Sequence, residues 1–151
     1  MAGSRPKTFA YFDTSALIKR YVDEPGRREV AQMLRQSNCV VSAILPVEVH
    51  SALRRRVMER TLSEIQVAAI LKRVTADRPF WTVTEVSREV LGAAESLCAA
   101  YPLRAVDAIH VASAQLFRQR IGASGLTFVS ADIRQTTATE ALRIPTRHIE
   151  V

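Results

Sequence analysis

Four acidic residues occupy places where a carboxylate does more than keep a surface soluble. Asp13 ends the aromatic-rich run Phe9-Ala-Tyr-Phe, and Thr14, Ser15 and an apolar helical pattern follow at once. Asp132 repeats this grammar of strand, hydroxyl, acid and helix after Leu126-Thr-Phe-Val-Ser-Ala. Glu48 stands in the first turn of an amphipathic stretch, and Asp107 in an otherwise uncharged one running from Ala105 to Gln115. Because an isolated buried carboxylate is too costly, Asp107 must point to a cleft or be paired. Gathered carboxylates are hard oxygen donors, which suit Mg2+ or Mn2+ and not zinc or copper. Each acid also has a local explanation. Asp is a favoured N-cap, and a glutamate in a first turn complements the helix dipole. His110, one turn after Asp107, could be a base, yet with no other histidine near it in sequence it reads as a partly buried structural residue.

The acids converge only if the elements bring them together. Phe9 to Phe12, the continuous apolar run from Cys39 to Ala43, Phe80 to Val86 and Leu126 to Ser130 read as strands, with a possible edge strand from Ile144 to Ile149. Between them, helical periodicity runs from Ala16 to Val22, Arg27 to Gln36 and Ile44 to Arg60, the last with Ile44, Val47, Leu53 and Val57 repeating at helical spacing. Helices follow from Ser63 to Ala76, from Ser87 to Ala100 with Leu91 and Cys98 among its inward residues, from Leu103 to Phe117 and from Ile133 to Leu142. Pro25-Gly26 and the segment Gly122 to Gly125 read as turns or loops. This alternation predicts an α/β fold: a mostly parallel sheet of about five strands with helices on both faces, and right-handed crossovers that place all strand ends of one kind on one edge. Ligands bind outside the carboxyl ends of such strands, which is where Asp13 and Asp132 fall.

A chain of 151 residues with no linker is read as one domain, 1–151, able to bury about 70% of its unfolded surface. Cys39 and Cys98 have no Cys-x-x-Cys spacing, so a zinc site or disulfide framework is not expected; both read as buried apolar fillers and suit a reducing cytoplasm. The residues Met1 to Lys7 lead straight to a strand and lack the apolar run of a signal peptide or membrane span. Twenty-one Lys and Arg against fifteen Asp and Glu leave a net charge of +6, an excess that favours polyanions, nucleic acid first. Lys19, Arg20 and the cluster Arg54 to Arg56 are candidates for phosphate contacts, although cations at a helix C-terminus are also favourable for dipole reasons alone.

At its acidic positions the sequence resembles the PIN-domain ribonucleases, and among them the VapC-type toxins of bacterial toxin–antitoxin modules. The likeness is carried by Asp13-Thr-Ser-Ala-Leu-Ile-Lys-Arg-Tyr, Pro46-Val-Glu48-Val-His-Ser-Ala-Leu, Arg104-Ala-Val-Asp107-Ala-Ile-His-Val-Ala-Ser-Ala and Phe128-Val-Ser-Ala-Asp132, and it spans Phe9 to Leu142. It implies a PIN-like three-layer fold and metal-ligand or metal-positioning roles for Asp13, Glu48, Asp107 and Asp132. Ser15 matches the family's hydroxyl position and Ser130 its small polar residue before the last acid. After Asp132 the chain departs from the family's more aliphatic segment with Thr136, Thr137 and Thr139. The implied activity is hydrolysis of RNA with Mg2+ or Mn2+, and the implied partners are a cognate antitoxin and a second copy of the chain. A haloacid-dehalogenase-like phosphatase also opens with strand, Asp and helix but wants a second Asp where Ser15 stands; a phospho-receiver domain lacks its acidic pair here. A housekeeping nuclease of the same fold and a non-catalytic binding module remain open alternatives.

Overall fold

The computed structural model describes residues 8–122 and 125–151. The leader reading on Met1 to Lys7 and the middle of the Gly122 to Gly125 loop therefore lie outside the described residues. Five strands, β1 (Phe9–Phe12), β2 (Asn38–Ser42), β3 (Thr82–Thr84), β4 (Leu126–Ser130) and β5 (Thr146–His148), form one sheet in the order β3-β2-β1-β4-β5. Every pairing among them is parallel, with Tyr11 beside Val40 on one side and Phe128 on the other. Short β3 and β5 form its edges, as the weak pattern at Ile144 to Ile149 suggested.

Alternation along the strands divides the core in two. Ala10, Phe12, Val41 and Val129 face α1 (Thr14–Leu17), α2 (Arg27–Gln36), α3 (Leu45–Met58) and α4 (Glu64–Asp77), which bury Leu17, Val30, Leu45, Val49, Leu53, Ile70 and Val74 against them. Tyr11, Val40 and Phe128 face the other way, towards α5 (Arg88–Ala100) and α6 (Ala105–Ile121). Small residues on α6, Ala108, Ala112 and Ala114, are fully buried and let that helix lie close to its neighbours. The last helix, α7 (Ile133–Ala141), packs on β4, β5 and α6. The result is the three-layer α/β arrangement that the alternation implied. Among the described residues no helix is long and apolar enough to cross a membrane.

Caps and turns explain the boundaries. Ser63 and Gln66 form a reciprocal capping box at the start of α4, and Ser87 accepts the Val90 N–H at the start of α5. At Gly26, before α2, the backbone has φ +87°, and a Cβ would lie 2.3 Å from Ile149 Cγ2, so only glycine fits. Several local expectations shift. After Asp13 the α-helix ends at Leu17, and a 3-10 turn, Ile18–Arg20, replaces its continuation to Val22. The inward stripe of α3 is Leu45, Val49 and Leu53, and Val47 is 72% exposed. On α5 the inward stripe is Val90, Ala94 and Leu97; one residue further round the helix, Leu91 and Cys98 fall on its flank and are exposed. Of the two free thiols only Cys39 is the buried filler expected, and burial pushes its pKa up to about 12. Phe80 precedes β3 in a second 3-10 turn and lies at the surface.

Candidate active site

The sheet runs from β1 outwards to β2 and β3, then returns to the other side of β1 for β4 and β5. Strand order therefore reverses between β1 and β4, and such a reversal opens a crevice at the carboxyl ends of the strands. Asp13 directly follows β1, and Asp132 follows β4 by two residues. Glu48 from the first turn of α3 and Asp107 from the first turn of α6 reach the same place, so all four acids line one crevice of about 960 Å³.

Asp13 is both the N-cap and the deepest acid of this crevice, so its two readings are compatible. It is 2% exposed; Oδ1 accepts the Ala16 N–H at 3.0 Å, and the Ser15 hydroxyl donates to Oδ1 and Oδ2 at 2.8 Å each. Ser15 Oγ also accepts the Ala131 N–H at 3.0 Å and lies 3.3 Å from Ser130 Oγ, which accepts the Asp132 N–H. The two serines thus tie the end of β1 to the end of β4. Asp132 Oδ1 caps α7 through the Arg134 N–H at 2.8 Å.

A residue that sequence reasoning missed completes the cluster. Gln135 Nε2 donates to Asp13 Oδ2 and to Asp107 Oδ1, both at 3.0 Å. The two carboxylate oxygens are therefore no more than about twice that distance apart. Gln135 is 3% exposed, and its Oε1 has no hydrogen-bond partner among the described residues. A signal for it did exist: after Asp132 the sequence is more polar than the family it resembles, and α7 buries Gln135, Thr136 and Thr139 of that segment. Burial holds the Asp13 carboxyl above its ordinary pKa, against the opposing pull of His110 and of its hydrogen bonds. Burial, then the nearby charge of Asp132, raises that of Asp107.

Glu48 is held differently. Its Oε1 accepts from Thr14 Oγ1 at 2.8 Å and lies 2.5 Å from His110 Nε2, while His110 Nδ1 lies 2.9 Å from the Tyr11 hydroxyl. Burial drives the Tyr11 phenol far above its ordinary pKa, so it keeps its proton and donates it to Nδ1. With Nδ1 facing the Tyr11 hydroxyl, the Nε2 side of the ring is directed at Glu48. His110 is 1% exposed, more deeply buried than its sequence suggested, and it supports an acid instead of facing the crevice as a base.

Most of the cations singled out in the sequence already have partners, Lys19 and Arg56 on the crevice wall itself. Lys19 is buried and donates to the Pro25 carbonyl at 3.0 Å; Arg20 pairs with Asp77, Arg54 with Glu64 and Arg56 with Glu24. The exposed cations along the crevice are Arg55, Arg104 and Arg134.

The donor set fits a divalent ion bound with much of its water. Among the described residues no group of three His, Cys, Asp or Glu side chains forms a ready metal cage. Two carboxylates sharing one hydrogen-bond donor, with a third acid beside them, match Mg2+, which keeps several waters and uses one or two carboxylates together with substrate phosphate. Asp13 and Asp107 are the residues that would hold it.

The sequence matches the family model of the PIN domain over residues 10–146. Among curated proteins none matches significantly. Solved structures with the same fold include a toxin–antitoxin complex from Klebsiella pneumoniae, 23% identical, covering 83% of this chain and 88% of the other with a TM-score of 0.61. FitAcB from Neisseria gonorrhoeae is 15% identical over 91% and 96% of the two chains, TM-score 0.66. VapBC2 from Rickettsia felis, bound to a DNA fragment from its promoter, is 11% identical over 94% and 99%, TM-score 0.62.

Proposed function

We propose, from the premise that this chain belongs to the PIN-domain family, that it is a divalent-metal-dependent endoribonuclease and the toxin of a type II toxin–antitoxin pair. The observation that carries the nuclease reading is the meeting of Asp13 and Asp107 on one nitrogen, in a crevice at the strand-order reversal that Asp132 and Glu48 also line. The toxin reading draws support from structural neighbours described as toxin–antitoxin assemblies. In this reading the partners are RNA, an antitoxin and a second copy of the chain, and the compartment is the cytoplasm.

When bound, Mg2+ or Mn2+ supplies Lewis-acid polarisation of the phosphodiester and activation of water. Asp13 and Asp107 would hold the ion, with Ser15 fixing both oxygens of Asp13. Asp132, already engaged in capping α7, contributes charge from the rim. Glu48 is oriented through Oε1 by Thr14 and His110, so Oε2 is the oxygen that takes a proton from the attacking water. Arg55, Arg104 and Arg134 hold flanking phosphates without reading sequence. No side-chain nucleophile is required.

The test is incubation of purified protein with total RNA, with Mg2+, with Mn2+ and with EDTA, and mapping of product ends. Cleavage should need metal and should vanish in Asp13→Ala and Asp107→Ala while RNA binding persists, since binding rests on the arginines. Full activity in excess EDTA, or in either variant, refutes the assignment. Co-expression with a small upstream reading frame separates toxin from housekeeping nuclease: a toxin is neutralised in a stable complex, a housekeeping enzyme is not.

A further inference from the structure

We infer that Gln135 is a built-in stand-in for the cation: its amide NH2 clamps Asp13 and Asp107 together in the metal-free protein, and an incoming ion must displace it. The inference rests on the metal reading above. One nitrogen donates to Asp13 Oδ2 and Asp107 Oδ1 at 3.0 Å each, so the group between the two carboxylates is the positive end of an amide dipole. Both bonds run to charged acceptors and are of the stronger kind.

The other end of the same amide gives the second observation. Gln135 is 3% exposed, and Oε1 is buried with no hydrogen-bond partner among the described residues. Leaving a buried acceptor unpaired is unfavourable. The amide keeps this orientation because the carboxylates demand a donor, not because its oxygen has found a site. A divalent ion between Asp13 and Asp107 would face the two N–H hydrogens, like charge against like, and would remove the demand that orients them. Metal entry and the Gln135 clamp are therefore mutually exclusive, and Gln135 lowers the affinity of the site while preserving its shape in the absence of metal.

Asp13 follows β1 and Asp107 lies in the first turn of α6, and among the described residues Gln135 is the side chain that hydrogen-bonds to both. Without a donor between them they would repel and splay. A glutamine supplies that donor without adding a charge. Residues one position to either side of it on α7, Arg134 and Thr136, are respectively exposed and turned to the Ile133 carbonyl and His148, so neither can substitute.

The experiment compares the full-length wild type with Gln135→Met, which keeps the volume and removes the donor, and Gln135→Asn, whose amide is one methylene too short to span both acids. Two quantities are read, neither of them catalytic: the melting temperature in EDTA, and the Mn2+ dissociation constant by calorimetry. Both variants should melt several degrees lower in EDTA yet bind Mn2+ about tenfold more tightly, the change expected when a charge-assisted hydrogen bond no longer competes. A residue that only packs would lower stability and leave affinity unchanged or weaker, and a residue that ligates the ion would weaken it; either outcome overturns the proposal. Unchanged melting in EDTA overturns the clamp. A wild type that takes up no Mn2+ at millimolar concentration overturns the metal reading and this proposal together, whereas a wild type that binds as tightly as both variants overturns this proposal alone.

Discussion

Tyr11→Phe removes a single hydroxyl and little else. The ring is fully buried and stacks on Phe128 with centroids 5.5 Å apart and planes at 9°, contacts that phenylalanine retains. What disappears is the 2.9 Å bond to His110 Nδ1, which leaves a buried acceptor with no donor. Such an orphan costs about 1–3 kcal/mol. For a chain of this size each kcal/mol lowers the melting temperature by about 2–4 °C, so a fall on the order of 2–12 °C is expected in EDTA. The catalytic effect follows from the proton. Once Tyr11 no longer donates to Nδ1, nothing fixes the ring from that side, and the contact of Nε2 with Glu48 Oε1, 2.5 Å long, loosens. Glu48 then loses half of its support, and kcat for cleavage of an oligoribonucleotide should fall about tenfold, the equivalent of one such bond. KM should stay constant because the arginines hold the phosphates. A double-mutant cycle with Glu48→Gln tests the route, since groups acting in one chain are non-additive by about 0.5–3 kcal/mol. A Tyr11→Phe protein that melts with wild type, or one whose loss of rate simply adds to that of Glu48→Gln, refutes the chain from Tyr11 through His110 to Glu48.

Asp13 and Asp107 both have folded pKa values raised above the ordinary 3.8, so the native state binds more protons than the unfolded one between that value and the raised ones. Their contribution to stability is fully present below pH 3.8 and is lost as pH rises through the folded pKa values; melts in EDTA should show this loss towards neutrality, and millimolar Mg2+ should reverse it by binding only the folded state. An EDTA profile whose neutral-pH loss is the same in wild type and Asp107→Asn would exclude Asp107 as a source. Arg104→Ala and Arg134→Ala should each weaken RNA binding without sequence bias and reduce the slope of log affinity against log salt by about 0.7, readable by fluorescence anisotropy over a salt series; an unchanged slope removes that arginine from the phosphate path. Gly26→Ala should destabilise the protein by more than about 1 kcal/mol, through the left-handed backbone and the 2.3 Å approach to Ile149, and a denaturant titration that shows no change would contradict that packing.

What the sequence by itself determined was local. Asp13, Asp132, Ser63 and Ser87 were legible because a cap, a period and a chain break are written within a few residues, and the parallel sheet followed from the alternation of such segments. Even the meeting of four acids at one sheet edge could be expected, since right-handed parallel crossovers leave few alternatives. Tertiary structure alone decided how those acids are held. Gln135 meets Asp13 across 122 residues, Tyr11 meets His110 across 99, and Arg20 meets Asp77 across 57. No periodicity carries such pairings, because they depend on which helix lies on which side of the sheet and how far round it each residue falls. The same reason explains the surface positions of Val47, Leu91 and Cys98: an apolar residue near the edge of a helical stripe is inside or outside by a rotation that only the packed neighbours determine. Net charge behaves likewise. The excess of +6 is a property of composition, but Arg54 and Arg56 are paired with Glu64 and Glu24, the latter pair on the crevice wall, while Arg55, Arg104 and Arg134 are exposed along it, a partition made by the fold, since an ion pair forms wherever a carboxylate comes within reach.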